Sequence, residues 1–542
     1  MEFNLADLFE IVADTVPDRL ALVAGDTRLT YRELDERANR MAQHLRGVGI
    51  GAGDHVAILA WNRAEWIEAQ HGTYKARAAV VNVNYRYVAE ELRYLLENAE
   101  AVAIVFERSF APMVAEIRAD CPTLRHFVVM EDGTDDPAAA AAVEALGAVA
   151  YEDALAAASP TRDGLGPRSA DDLYLLYTGG TTGMPKGVMW RAEDIFFAAL
   201  GGGGFGQPPI TTPEELAGRV PSDGEFPVNL VNAPMMHGGG QWVSFICFFG
   251  GGTVALNTDH HFDGERVWQL AARERATSIM VVGDAMARPL AEALDHLSPD
   301  VDISSVKGIG SGGSILSPTI KDHLRAQLPG VVVVDSFGAS ETGAAGSVLD
   351  FGGPAQGARF TVNEQMTVLD EVGRAVAAGS GDVGHLARRG HIPLGYWKDA
   401  EKTAATFRTD PDGVRWVIPG DFATIEADGT IVMLGRGSVC ISSGGEKIFP
   451  EEVEAAVKAH PAVFDAVVVG VPDERFIERV AVIVKVRDGV DAPTLDELQE
   501  FCRTKIAGYK VPRELHLTDE IPRTPVGKPD YRWAKRLATA SS

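Results

Sequence analysis

Cysteine is scarce in this chain, and its placement excludes two kinds of scaffold. Cys121, Cys247, Cys440 and Cys502 stand far apart with no C-x-x-C spacing, so neither a zinc knuckle nor a disulfide framework is encoded, and reduced thiols are expected. Basic residues are also in short supply: 50 Lys and Arg face 76 Asp and Glu, and the net charge of −26 repels nucleic acid and anionic membrane. An anionic ligand must then be drawn in by a local site. Apolar runs are short, none approaching the roughly 18 residues of a membrane span. The stretch Met1 to Asp7 carries acid where a secretory leader needs base. No stable membrane insertion and a cytoplasmic location are the expectations.

What is present is a loop built for phosphate. Leu176-Tyr177-Thr178-Gly179-Gly180-Thr181-Thr182-Gly183-Met184-Pro185-Lys186-Gly187 follows directly on an apolar run. Its glycines let backbone N–H groups converge on an anion, its threonines donate to the same oxygens, and Lys186 adds a positive charge. The spacing is not the Walker pattern, because Met184 and Pro185 fall where G-K-[ST] is required.

At 542 residues the chain exceeds what one core supports, so two or more domains are expected. Thr30 and Glu33 form a capping-box pattern before Leu34, Ala38, Met41 and Leu45 at helical spacing. Apolar runs at 55–60, 78–83, 101–106 and 126–130 read as buried strands, with amphipathic stretches such as 88–98 between them. The fold class is α/β: helix-covered sheets in a large body of several subdomains, with surface excursions at 136–160 and 201–227. After about residue 438 the texture changes. Helices at 451–460 and 494–506 and strands at 463–471 and 479–487 predict a small α+β module with its own core.

Further segments follow the phosphate loop in a fixed order. They are Ala233-Pro234-Met235-Met236-His237-Gly238-Gly239-Gly240, Ser311-Gly312-Gly313-Ser314, and Asp335-Ser336-Phe337-Gly338-Ala339-Ser340-Glu341. Then come Ile418-Pro419-Gly420-Asp421, Gly435-Arg436, Ser442-Ser443-Gly444-Gly445-Glu446-Lys447, and Pro522-Arg523-Thr524-Pro525-Val526-Gly527-Lys528. Over nearly its whole length the chain resembles the adenylate-forming superfamily of acyl-CoA synthetases, peptide-synthetase adenylation domains and luciferases. The tract 442–452, with Val188-Met189-Trp190-Arg191, looks most like actinobacterial fatty-acyl or sterol-side-chain CoA ligases.

The resemblance implies activation of a carboxylic acid by ATP with Mg²⁺ to an acyl-adenylate, then transfer to a thiol. It divides the chain into an adenylation body (1–436), a hinge (437–440) and a C-terminal module (441–542). It implies that Thr178, Gly179, Gly180, Thr181, Thr182, Gly183 and Lys186 grip the β- and γ-phosphates and that Glu341 helps hold Mg²⁺, a hard cation suited to carboxylate oxygen. Gly312, Gly313, Ser314, Asp335, Ser336, Phe337 and Gly338 would surround the adenine, with Ser340 near the α-phosphate. Phe337 replaces the usual tyrosine and Ser340 the usual threonine. Asp421 would accept from both ribose hydroxyls, and Arg436 would lie beside ribose or phosphate. Ser443, Gly444, Gly445 and Lys447 would face the thiol tunnel. Lys528 would reach the carboxylate and α-phosphate in the first step.

His237 would line or gate the acyl pocket, with Gly238 to Gly240 leaving room behind it. No carboxylate occurs in 234–240 to pair with a substrate ammonium, which favours an apolar acid of medium or long chain, or a bulky one. The hinge acid usual in that family is absent near Ser438 and Val439. His385, where the family has glutamate, is expected to be a packed strand residue, and Arg388 or Arg389 to pair with acid at the surface. Three readings remain open here: a ligase using CoA, with Lys447 or Lys510 meeting its 3′-phosphate; an enzyme loading a carrier-protein phosphopantetheine; and a binding protein without turnover. Dimers are common in that family, so a homodimer is compatible with the chain.

Overall fold

A computed structural model describes the chain except residues 179–183, 205–206, 225, 315, 351–358, 363, 411, 437–438, 444–445, 474–476, 507, 524–528 and 541–542. At 349–350, 436, 442, 446–447 and 477 it describes the backbone alone.

The apolar runs near the N-terminus become a five-stranded parallel sheet, in the order Ala79–Asn82, His55–Leu59, Ala103–Glu107, His126–Met130 and Val149–Ala150. The first three of these strands are buried at every residue, as continuous apolar runs require of a sheet covered on both faces. The capping box forms as expected: Thr30 Oγ1 accepts from the Glu33 amide while the Glu33 carboxylate accepts from the Thr30 amide, starting helix Tyr31–Gly47.

A second, 15-stranded sheet changes character along its width. Strands Leu20–Ala24, Thr253–Leu256, Val228–Val231, Ser278–Val281, Gly308–Gly312 and Val332–Ala339 run parallel to one another. From Gly343–Asp350 onward the pairing is antiparallel, through Arg359–Val362, Ile431–Arg436, Asp421–Ile425 and Gly384–Arg388. Helix Ala64–Lys75 is buried on nearly all sides, with Trp66, Ile67 and Ala69 in the main core. Its buried charged residues are paired: Glu68 with Arg37, and Lys75 with Glu10 and Asp35.

The excursion at 136–160 is a pair of short helices, Pro137–Leu146 and Tyr151–Ala156, and that at 201–227 carries helix Glu215–Arg219. The C-terminal region has its own sheet, in which Val463–Asp473 and Ile477–Val486 form a long antiparallel pair. Helices Pro450–Lys458 and Leu495–Arg503 match the expected ones. A hairpin of Ile441–Ser443 with Glu446–Ile448, a parallel strand Glu514–Leu517 and helix Tyr531–Ala540 were not foreseen. These additions are short or amphipathic, and they complete two small cores around Val468 and Val467. Among the described residues no helix is long and apolar enough to cross a membrane.

Candidate active site

Two paired strands flank the phosphate-loop segment. Strands Leu173–Thr178 and Lys186–Arg191 are antiparallel, with Thr178 opposite Lys186 and Tyr177 opposite Gly187. A Cβ at 187 would stand 2.8 Å from Tyr177 Cε2 and 2.9 Å from Leu175 Cδ1, so glycine is needed for the hairpin to close. Gly179, Gly180, Thr181, Thr182 and Gly183 lie outside the described residues. A third strand, Gly395–Tyr396, pairs with Met189 and Val188, and the Trp397 amide donates to the Gly187 carbonyl at 2.7 Å. Just beyond, Asp399 accepts from the Lys402 amide as cap of helix Ala400–Thr406 and forms an ion pair with Lys186.

Ser340 and Glu341 sit at the turn between Val332–Ala339 and Gly343–Asp350, where the Thr342 amide donates to the Ala339 carbonyl at 3.0 Å. The Ala339 amide donates to Thr342 Oγ1 at 2.9 Å. Two side chains of the small sheet hold this turn. Trp190 Nε1 donates to the Ser340 carbonyl at 2.9 Å, and Tyr396 Oη donates to Glu341 Oε1 at 2.8 Å. Lys186, Ser340 and Glu341 are thus tied to one structural unit.

Beneath the turn lies Arg388, only 1% exposed. Its guanidinium donates to the carbonyls of Thr342, Ala344 and Ala198 and to Gln365 Oε1. This corrects the expectation of surface pairing with acid: the arginine caps backbone carbonyls inside the fold, and burial pushes its pKa down to about 10. Arg389 is the exposed neighbour and lies over Trp416. His385 packs its ring against Phe422 at 4.4 Å.

The parallel strands Gly308–Gly312 and Val332–Ala339 end side by side, with Gly312 opposite Ser336. The carboxyl ends of such strands are where α/β sheets receive ligands. Gly313 turns away with φ +79°, a backbone suited to glycine. Asp335 is buried and paired with Lys321 of helix Pro318–Gln327 at 2.7 Å, a structural partner the sequence did not reveal. Burial pushes its carboxyl above the usual range, with Lys321 opposing. Phe337 packs against Phe360 at 4.5 Å. A Cβ at 338 would meet the Gly343 carbonyl at 2.2 Å, so only glycine fits the bulge beside it.

Asp421 and Arg436 stand directly opposite each other on an antiparallel ladder; the Arg436 side chain is outside the description. At Gly435, φ is +127° and a Cβ would fall 2.2 Å from Glu451 Oε2, so body and C-terminal module meet closely there. Ser443 faces Glu446 in the C-terminal hairpin, while Gly444, Gly445, the Lys447 side chain and Lys528 lie outside the described residues. Lys510, considered above for the 3′-phosphate of CoA, donates to both oxygens of Glu452 at 2.6 and 2.7 Å, which offsets its charge.

His237 caps helix Gly238–Phe249, and its carbonyl accepts from the Gln241 amide. The glycines after it do not all leave room. A Cβ at 240 would lie 2.6 Å from the Pro234 carbonyl and one at 238 would lie 3.0 Å from Leu176 Cδ2, so these two serve close packing. Only Gly239 has open space. Asn82, not singled out from the sequence, links this segment to the phosphate hairpin. Its amide donates to the carbonyls of Tyr177 at 2.9 Å and Met236 at 2.6 Å, and its Oδ1 accepts from the Tyr177 amide.

A family model described as AMP-binding enzyme matches residues 9–397, and one described as AMP-binding enzyme C-terminal domain matches 452–528. The chain belongs to the AMP-binding enzyme family. Within that family it is 48% identical to a 3-oxocholest-4-en-26-oate–CoA ligase of Rhodococcus rhodochrous, over 99% of this chain and 96% of the relative. It is also 48% identical, with the same coverage, to a medium/long-chain-fatty-acid–CoA/3-oxocholest-4-en-26-oate–CoA ligase of Mycolicibacterium smegmatis. Among solved structures, an anthranilate CoA ligase in complex with anthranoyl-AMP shares the fold with a TM-score of 0.83 at 24% identity, covering 99% of this chain and 98% of that one.

Proposed function

We propose that the protein is an ATP-dependent, AMP-forming ligase that joins a carboxylic acid of medium or long chain, or a sterol-side-chain acid, to CoA. The full-length match at 48% identity to CoA ligases for such acids carries the reading, because it spans body and C-terminal module alike. The geometry agrees with it. A carboxylate oxygen bonds to the α-phosphorus while the bond to pyrophosphate breaks, giving acyl-adenylate. The CoA sulfur then bonds to the acyl carbon as AMP leaves and the thiol proton is released.

In this reading Lys186 and the threonines of the hairpin neutralise and orient the leaving pyrophosphate, where charge develops. Glu341, its Oε1 already fixed by Tyr396, offers carboxylate oxygen to Mg²⁺. Mg²⁺ is commonly held by one carboxylate plus substrate phosphates, the arrangement that Glu341 would supply. Bound there, Mg²⁺ would offset triphosphate charge. Asp421 receives the ribose hydroxyls, Lys528 stabilises the attacking carboxylate and α-phosphate, and the hinge at 437–440 exchanges the two half-reactions.

The acid enters by His237, where residues 234–240 supply no carboxylate for an amino group. The test is thioester formation with free CoA across octanoate, palmitate, a steroid side-chain acid and an α-amino acid. Turnover with the first three and none with the last is expected. Thioester formation only on a carrier-protein phosphopantetheine, or none with any acid, would overturn the reading.

A further inference from the structure

The segment from Leu394 to Asp399 reaches two residues assigned above to the phosphates and the metal, Lys186 and Glu341. Its strand, Gly395–Tyr396, lies along the hairpin; Tyr396 holds Glu341; Asp399 holds Lys186. Its outer flank is anchored on the five-stranded-sheet side, where Trp397 Nε1 donates to the Asn98 carbonyl at 2.9 Å and Lys398 pairs with Glu100 at 2.8 Å. The two held groups differ in setting. Tyr396 is buried at 5% exposure, whereas Lys186 and Asp399 are 39% and 27% exposed.

We propose that Tyr396 and Asp399 are positioning residues with opposite tasks: Tyr396 keeps Glu341 aimed before and after nucleotide binds, and Asp399 is a stand-in anion that the triphosphate displaces from Lys186. The proposal rests on the reading of Lys186 and Glu341 given above. An ion pair between partly exposed side chains contributes little net stability, so it holds a long lysine in place without competing strongly against a polyanion. Lys186 hydrogen-bonded to Asp399 keeps that carboxyl below the usual range, with the Lys402 amide adding to the effect. Because Asp399 also caps a helix, it stays where it is once the lysine leaves, and a returning lysine finds the same partner as pyrophosphate departs.

Asp399→Asn removes the charge and keeps the cap, since asparagine is an equally good N-cap residue. Calorimetric titration with Mg-ATP should show affinity tighter by roughly two- to fivefold. Lys186→Ala should weaken binding, and in that background Asp399→Asn should change nothing. Weaker or unchanged binding in Asp399→Asn, or the same gain without Lys186, overturns the stand-in role. Should Asp399→Asn fold poorly, Asp399→Ser carries the same test.

For Tyr396→Phe, Mn²⁺ binding followed by electron paramagnetic resonance with a non-hydrolysable ATP analogue should weaken several-fold, while metal-free nucleotide affinity holds. Equal loss of both overturns the aiming role. A wild-type protein that binds no ATP at all would instead defeat the underlying functional reading, so the two failures are distinguishable.

Discussion

Two lysines of this molecule each face carboxylate, and they do opposite things with it. Lys75 is wholly buried, paired with Asp35 at 2.7 Å and with Glu10, and these acids are gripped in turn by Arg162 and Arg168. Burial alone would raise the Glu10 and Asp35 carboxyls, but Lys75 and the arginines bring both below the usual range. Lys186 meets one acid among the described residues, in a partly exposed setting. A charge sealed among several partners fixes the chain around it, here the N-terminal helix Leu5–Thr15 against helices Tyr31–Gly47 and Ala64–Lys75. A charge with one exposed partner remains available to a ligand. Burial, more than residue type, separates scaffold from machinery.

That contrast can be broken experimentally. The largest effect is expected of Lys75→Met, which leaves buried carboxylates short of a partner and should cost about 3–5 kcal/mol of stability in urea denaturation. The folded fraction should bind ATP as before; altered ATP affinity would mean the buried cluster reaches the site. Next comes Lys528→Ala, which should slow acyl-adenylate formation by roughly 10²–10³-fold. Thioester formation from pre-made adenylate should be largely spared, and equal loss of both half-reactions would contradict its assignment.

A smaller effect concerns His71, one turn before Lys75 and packed 4.3 Å from Phe9. Burial pushes its pKa down to about 3, with Lys75 adding repulsion. The unfolded chain therefore takes up the proton first. Its contribution to stability is complete above about pH 6.5 and falls by up to roughly 1.4 kcal/mol per pH unit as pH drops toward 3. His71→Phe should flatten denaturation midpoints between pH 6 and 4, and an unchanged slope would show that the ring is not neutral in the fold. The acid limb from Glu10 and Asp35 should appear lower, below the ordinary carboxylate values, and persist in that variant.

The parts of the fold built from local patterns were legible. The run at 126–130 is a strand with those same bounds, the Thr30 box caps its helix, and the parallel sheet follows from uninterrupted apolar strands. The antiparallel half from Gly343 to Arg436 was not, because its strands are short and mix polar with apolar residues. At the site, motif order named Lys186, Glu341, Gly312 and Asp421. It could not show what holds them: Asp399 lies 213 residues from Lys186, Ser340 150 from Trp190, and Tyr396 55 from Glu341. The contacts from Tyr396 and Asp399 depend on the two-residue strand Gly395–Tyr396 and the turn after it, with no periodicity to announce them. Gly238 and Gly240 misled for a related reason, since a missing side chain looks the same in a string whether it opens space or lets backbone approach.

Asn82 spans the two halves of the proposed chemistry with one amide group, touching the phosphate strand at Tyr177 and the acyl-side segment at Met236. Anyone reshaping the 234–240 segment to admit a new acid is therefore also leaning on the nucleotide hairpin. Redesign of substrate range in this scaffold should be scored on ATP binding from the first variant onward, because the two properties hang from a shared peg.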